Sequence, residues 1–145
     1  MLIMDDRLDV ALACGADGVH LGQSDLPVDV ARRLAPDLIV GASTHGLDEA
    51  LAAERDGACY VNVGPIFPTR TKAAGTAALG PQVLDEISPR LGVPFTVMGG
   101  ITASNVDEVL GRGARHVAVV TAVTAAADVR AAATDLIGAI RTGRS

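Results

Sequence analysis

Three sets of residues in this sequence have types and spacings that could do chemistry. Asp6 follows the first apolar run, and Asp25 follows the second, in Gly22-Gln23-Ser24-Asp25. Two carboxylates converging from neighbouring loops suit Mg²⁺, a hard ion that takes one or two carboxylates and keeps other positions for water and substrate phosphates. The same aspartates, with Asp5, equally suit a plainer role as helix caps or turn formers.

The second set is Gly64-Pro65-Ile66-Phe67-Pro68-Thr69-Arg70-Thr71-Lys72, after the fourth apolar run. Lys72 is the single lysine among 12 cationic residues, so this composition uses Arg wherever a generic positive charge will do. A compact ammonium on a flexible stem is a point charge for phosphate, whereas the Arg fork imposes its own geometry. Thr69 and Thr71 add hydroxyl donors two residues apart. The bland alternative is a polar Pro-rich loop with no ligand.

The third set is Gly99-Gly100-Ile101-Thr102, with Val119-Val120-Thr121-Ala122-Val123 after the next apolar run. Glycine lets a ligand approach the backbone, and backbone N–H groups at a helix start, here expected at Thr102 or Ser104, can bind an anion. Turn formation alone also explains a Gly-Gly pair. Ser43-Thr44-His45 closes a strand, where Ser43 can hydrogen-bond a ligand. A serine nucleophile is not supported: His45 is the only base local to it in sequence, and no G-x-S-x-G elbow surrounds it. His20 alternates with Val19 and Leu21 and reads as a satisfied core histidine, while His116 reads as structural.

The elements that position these residues repeat as short apolar run, polar loop and amphipathic stretch. Strands are expected at residues 2–4, 18–21, 38–41, 60–63, 95–98 and 117–120. Helical spacing covers 8–13, 28–34, 47–55, 81–91, 106–111 and 125–140. Gly15, Gly57 and Gly113 occupy equivalent helix-to-strand joints, where a left-handed residue ends a helix. Aliphatic strands alternating with helices predict an α/β parallel sheet. Polar loops after nearly every strand, with no G-x-G-x-x-G after the first, favour a TIM barrel over a doubly wound sheet. About six parallel strands make it an incomplete (β/α)₈ barrel, read as a single domain over 1–145.

At 145 residues, with net charge −5 and mean hydropathy +0.35, the chain fits one globular domain. The negative charge, scattered arginines and 2% aromatic content argue against nucleic-acid binding. No apolar run reaches the ~18 residues of a membrane span. The opening residues are too short and acidic for a signal peptide. Cys14 and Cys59, 45 positions apart, form no metal or redox motif and are expected to be buried. A cytoplasmic location is expected.

These segments, in this order, resemble the thiamine phosphate synthase family. The resemblance rests on Asp5-Asp6-Arg7, Gly18-Val19-His20-Leu21-Gly22-Gln23-Ser24-Asp25, Ser43-Thr44-His45, residues 64–72, Gly99-Gly100-Ile101 and residues 119–123. It implies a (β/α)₈ transferase that joins 4-amino-2-methyl-5-hydroxymethylpyrimidine diphosphate to a thiazole phosphate, releasing pyrophosphate with Mg²⁺ as cofactor. It places Asp6 and Asp25 on the metal. Catalytic Lys72 and Ser43 hold the pyrimidine diphosphate, with Asp5 where the family has an Asn amide. Thr69, Thr71, Gly100, Val120 and Thr121 take the thiazole phosphate. The family's final-loop Ser is Thr121 here, and its first two βα units have no counterpart.

An open barrel of this kind leaves sheet edges that invite a second copy or a complementing chain. Two alternatives stand beside the synthase. One is the related thiazole tautomerase, whose histidine in the loop after the fourth strand has no equivalent near Pro65. The other is a non-catalytic phosphate-ligand-binding partner subunit.

Overall fold

The computed structural model describes residues 1–69 and 77–143. Thr71 and Lys72 lie outside the described residues. In chain order the elements are β1 (Ile3–Asp5), α1 (Leu8–Cys14), β2 (Gly18–Leu21), α2 (Val28–Leu34), β3 (Ile39–Thr44), α3 (Leu47–Arg55), β4 (Tyr60–Val63), α4 (Val83–Ile87), β5 (Phe95–Val97), α5 (Val106–Leu110), β6 (His116–Val117), α6 (Thr121–Thr124) and α7 (Val129–Thr142). The six strands follow chain order in one sheet, which is the α/β pattern expected of an incomplete (β/α)₈ barrel. The chain divides into two compact units, Met1–Val63 with Leu91–Phe95, and Gly64–Arg90 with Thr96–Ser145.

In the first unit, β1 through β4 pair in parallel, with Met4 against Val19, Val19 against Val40 and Ala42 against Val61. Side chains alternate across a strand, so this row of aliphatics faces one way. Met4, Val19 and Val40 pack with Leu8 and Ala11 of α1, Ala31 of α2, and Ala16 and Ala35 just beyond those helices, in one core. Val19, Val40 and Val61 are wholly buried, each stabilising the fold by roughly 1.5–3 kcal/mol on area grounds. The opposite pleat carries Asp5, His20, Gly41 and Tyr60, and on it the polar chemistry is arranged.

Gly15, Gly57 and Gly113 all adopt positive φ (66°, 94° and 93°), the left-handed turn expected at the repeated joints. Several boundaries differ from the sequence expectation: β1, β3, β5 and α1 shift by one to three residues at an end, and α4, α5, α7 and β6 also depart from it. α4 is shorter than 81–91 because Pro89 has no N–H to continue the helix. The 125–140 helix instead begins at Val129, where the Asp128 carboxylate accepts the Ala131 N–H at 2.9 Å and caps it. β6 is two residues long and starts at His116. α5 begins at Val106, because Thr102 and Asn105 form a side-chain-closed turn ahead of it.

The cysteines also depart from expectation. Both are exposed free thiols: Cys14 ends α1 and Cys59 immediately precedes β4.

Candidate active site

The strand register of the first unit builds a row of four residues. Asp5 pairs with His20, His20 with Gly41, and Gly41 with Tyr60. Gly41 leaves a gap in that row, and the Tyr60 ring fills it: a Cβ on Gly41 would lie 2.2 Å from Tyr60 Cζ. Lying over the gap, Tyr60 stacks on His20 with ring centroids 5.5 Å apart and brings its hydroxyl to 3.0 Å from His20 Nδ1. The other imidazole nitrogen, Nε2, is 2.9 Å from Ser43 Oγ. Gln23 Nε2 donates to the Ser43 carbonyl at 2.6 Å. Ser43 is only 7% exposed, and Asn62, its partner in the next row, is buried too. Burial, helped by the Asp5 charge, pushes the Tyr60 phenol above its ordinary range.

His20 is therefore a satisfied histidine, as its alternation suggested, but its contact with Ser43 was not legible in the sequence. His45, the base local to Ser43 in sequence, instead pairs with Glu49 at 3.0 Å. The signal for the His20 contact was the strand register, which brings residues 23 positions apart together only once β2 and β3 are aligned.

Asp6 and Asp25 sit where β1 and β2 end. The Asp6 N–H donates to the His20 carbonyl at 2.8 Å, which holds its backbone beside β2. Asp6 adopts φ 63°, the only positive φ outside glycine among the described residues. Such a conformation costs a non-glycine residue about 1–3 kcal/mol and persists where the surroundings over-determine it. Asp25 closes the β2 loop by accepting the Gly22 N–H at 2.6 Å through one carboxylate oxygen.

Two carboxylates at adjacent strand ends are a hard-oxygen donor set, the ligand type that a hard divalent cation takes. No cluster of three or more His, Cys, Asp or Glu placed for a metal occurs among the described residues. Beside Asp6 opens a cleft of about 420 Å³, but Leu8, Leu12, Leu26 and Leu34 line most of it and supply no phosphate donors.

The second unit builds its candidate residues differently, from backbone. Phe67 N–H donates to the Gly99 carbonyl at 2.9 Å and Ile66 N–H to the Met98 carbonyl at 2.8 Å, so the loop after β4 lies along the loop after β5. Gly99 and Gly100 have φ of 96° and 65°, and a Cβ on Gly100 would come within 2.6 Å of the Pro68 carbonyl oxygen. Asn105 fixes the turn, accepting from Thr102 N–H at 2.8 Å and donating to the Gly100 carbonyl at 3.0 Å. Nothing in the residue pattern singles out Asn105, since its two partners are fixed only by the turn. Thr69 is half-buried in this unit, whereas Val120 and Thr121, at the start of α6, are exposed.

A family model for thiamine monophosphate synthase matches residues 1–123. The chain belongs to the thiamine monophosphate synthase family. A thiamine-phosphate synthase of Chlorobium luteolum is 48% identical over all of this chain and 69% of its own length. One from Chloroflexus aurantiacus is 51% identical, covering 93% of this chain and 62% of the relative. In structure, thiamine phosphate pyrophosphorylase from Pyrococcus furiosus superposes with a TM-score of 0.88 at 42% identity, covering 99% of this chain and 68% of that one.

The chain thus spans about two thirds of the length of the relatives it matches. These likenesses bear out the family and fold expected from the motifs. The family is one of transferases acting on small molecules. No helix among the described residues is long and apolar enough to cross a membrane.

Proposed function

We propose that this chain is a thiamine phosphate synthase, coupling 4-amino-2-methyl-5-hydroxymethylpyrimidine diphosphate to thiazole phosphate with release of pyrophosphate, and that residues 1–145 act in it as one partial barrel domain. The observation that carries the reading is the 48% identity to a synthase over all of this chain and 69% of that relative, joined to the placing of Asp6, Asp25 and Ser43 at or just past the ends of β1, β2 and β3. The reaction breaks the carbon–oxygen bond to the diphosphate, and the thiazole nitrogen captures the pyrimidine methyl carbon. The attacking nitrogen has a free lone pair, so the protein need supply no general base.

Asp6 and Asp25 are the residues proposed to hold Mg²⁺, which would neutralise charge growing on the departing pyrophosphate. Ser43 and Lys72 hold the pyrimidine diphosphate in this proposal, Lys72 as a point charge on phosphate. Asp5, in the row with His20, is the residue proposed to face the pyrimidine. Thr69, Thr71, Gly100, Val120 and Thr121 take the thiazole phosphate in this proposal. Its two free thiols suit the reducing cytoplasm.

The test is a steady-state coupling assay on this chain and on a form extended upstream, with Mg²⁺ and with a chelator. Product formation that requires Mg²⁺ is expected, and Asp25→Asn should lower it at least about 100-fold. Failure of both forms to couple with Mg²⁺ present would overturn the reading.

A further inference from the structure

The contact between His20 and Ser43 raises the question of which atom carries the proton, and the surroundings answer it. Tyr60 makes its hydrogen bond among the described residues to His20 Nδ1, at 3.0 Å. A phenol hydroxyl is a donor as well as an acceptor. If Nδ1 carried the imidazole proton, the phenol could only accept, and its own proton would turn from the ring to solvent. With Tyr60 donating, Nδ1 is the acceptor and the neutral ring carries its proton on Nε2. That N–H then points at Ser43 Oγ, 2.9 Å away. The serine oxygen accepts, and its own hydrogen is turned off the histidine toward whatever else approaches.

We propose that Tyr60, acting through His20, sets Ser43 as a hydrogen-bond donor to the pyrimidine diphosphate, and that Gly41 is the gap in the strand row that lets the phenol reach. Tyr60 and His20 are positioning residues here; the group that touches the ligand is Ser43. The ligand named rests on the function proposed above, whereas the proton arrangement rests on geometry alone. Gln23 supports the same arrangement from the backbone side, since its bond to the Ser43 carbonyl holds that residue in place. Directionality matters because an oxygen of a diphosphate can only accept, so a serine whose hydrogen was spent on His20 would offer it lone pairs instead.

The test has two arms that fail separately. The first records the ¹⁵N–¹H two-bond correlations of the ligand-free chain, which has three histidines, with His20 assigned by its substitution. The pattern of an Nε2-protonated ring is expected for His20, lost or mixed with the other tautomer in Tyr60→Phe, which keeps the ring over Gly41 but removes the hydroxyl. An Nδ1-protonated His20 in the unaltered chain would overturn the proposal.

The second arm measures calorimetric affinity for the pyrimidine diphosphate in the unaltered chain, Tyr60→Phe, Ser43→Ala and the double variant. Tyr60→Phe should weaken binding about five- to tenfold, the scale of one hydrogen bond, and should have no further effect in the Ser43→Ala background. Equal losses in both backgrounds would mean that Tyr60 acts independently of Ser43 and would overturn the relay. Absence of binding by the unaltered chain, with His20 protonated on Nε2, would overturn both the function proposed above and the ligand named here while leaving the proton arrangement standing.

Discussion

The two units of the chain prepare their candidate residues by opposite means. The first uses side chains standing on strands: His20, Ser43 and Tyr60 are held by register, by a missing side chain at Gly41 and by each other. The second uses loops pressed together so closely that only glycine fits, with backbone groups presented and one amide, Asn105, tying the turn. Strand-borne groups are exchangeable one at a time, because each contributes a few bonds. A backbone-built turn is less forgiving, since an added methyl group displaces the chain itself.

The sharpest way to break that contrast is a pair of glycine substitutions. Gly100→Ala places a Cβ 2.6 Å from the Pro68 carbonyl and 2.8 Å from Phe67 Cβ, at φ 65°. Backbone strain and overpacking together should destabilise by about 2–4 kcal/mol. Gly15→Ala meets nothing within 4 Å at a nearly identical φ of 66°, so only the left-handed penalty of about 1–2 kcal/mol remains. Chemical denaturation of the two variants reads the difference. Equal losses would mean that loop contact contributes nothing beyond dihedral strain.

Asn105→Ala removes both bonds of the turn and should cost about 1–3 kcal/mol, together with weaker binding of thiazole phosphate. If calorimetry shows affinity untouched while stability falls, the turn is scaffold rather than a phosphate cradle.

Gly41→Ala tests the strand-borne half. Here the obstructing atoms are the far end of the Tyr60 side chain, which can swing away, so the loss is that of the His20 bond and stack, about 1–2 kcal/mol. Tyr60 is the only tyrosine and there is no tryptophan, so alkaline ultraviolet titration reads this one ring. Its folded value lies above the ordinary 10, mainly through burial. A phenol held neutral in the fold contributes stability that is complete below the unfolded value and is lost as pH rises through the folded one. Gly41→Ala should return the titration toward 10 and flatten that alkaline loss.

The contrast between the units also governs what could be read in advance. α2 and α3 were legible to the residue, because apolar spacing in Val28–Leu34 and Leu47–Arg55 is a local signal. Gly15, Gly57 and Gly113 were legible because a left-handed joint leaves a residue type behind. The His20 to Ser43 contact was not, since it depends on which residue of β2 faces which residue of β3, and no local pattern records that. The start of α7 was missed for a smaller reason: Asp128 caps it in a run of alanines that has equal helical spacing on either side. Asp6 and Asp25 stood out by type, but the positive φ of Asp6 is visible only in the backbone.

The smallest effect is expected at the surface beside Asp6. Arg7 holds Asp9 through two bonds, at 2.8 and 2.6 Å, and brings its carboxyl from 3.8 down to about 2. A depressed carboxylate contributes stability that is present above its unfolded value and lost as pH falls through the folded one, so any contribution disappears between about pH 4 and pH 2. Both partners are exposed, and salt screens such pairs, so the effect on the thermal midpoint should be slight at physiological ionic strength. In Arg7→Ala, the Asp9 midpoint followed by NMR should return to near 3.8 while coupling activity stays within about twofold of the parent. A larger fall in activity would mean that the loop after β1 relies on surface charge to hold Asp6, and the line drawn between strand-built and loop-built halves would then run through the first unit itself.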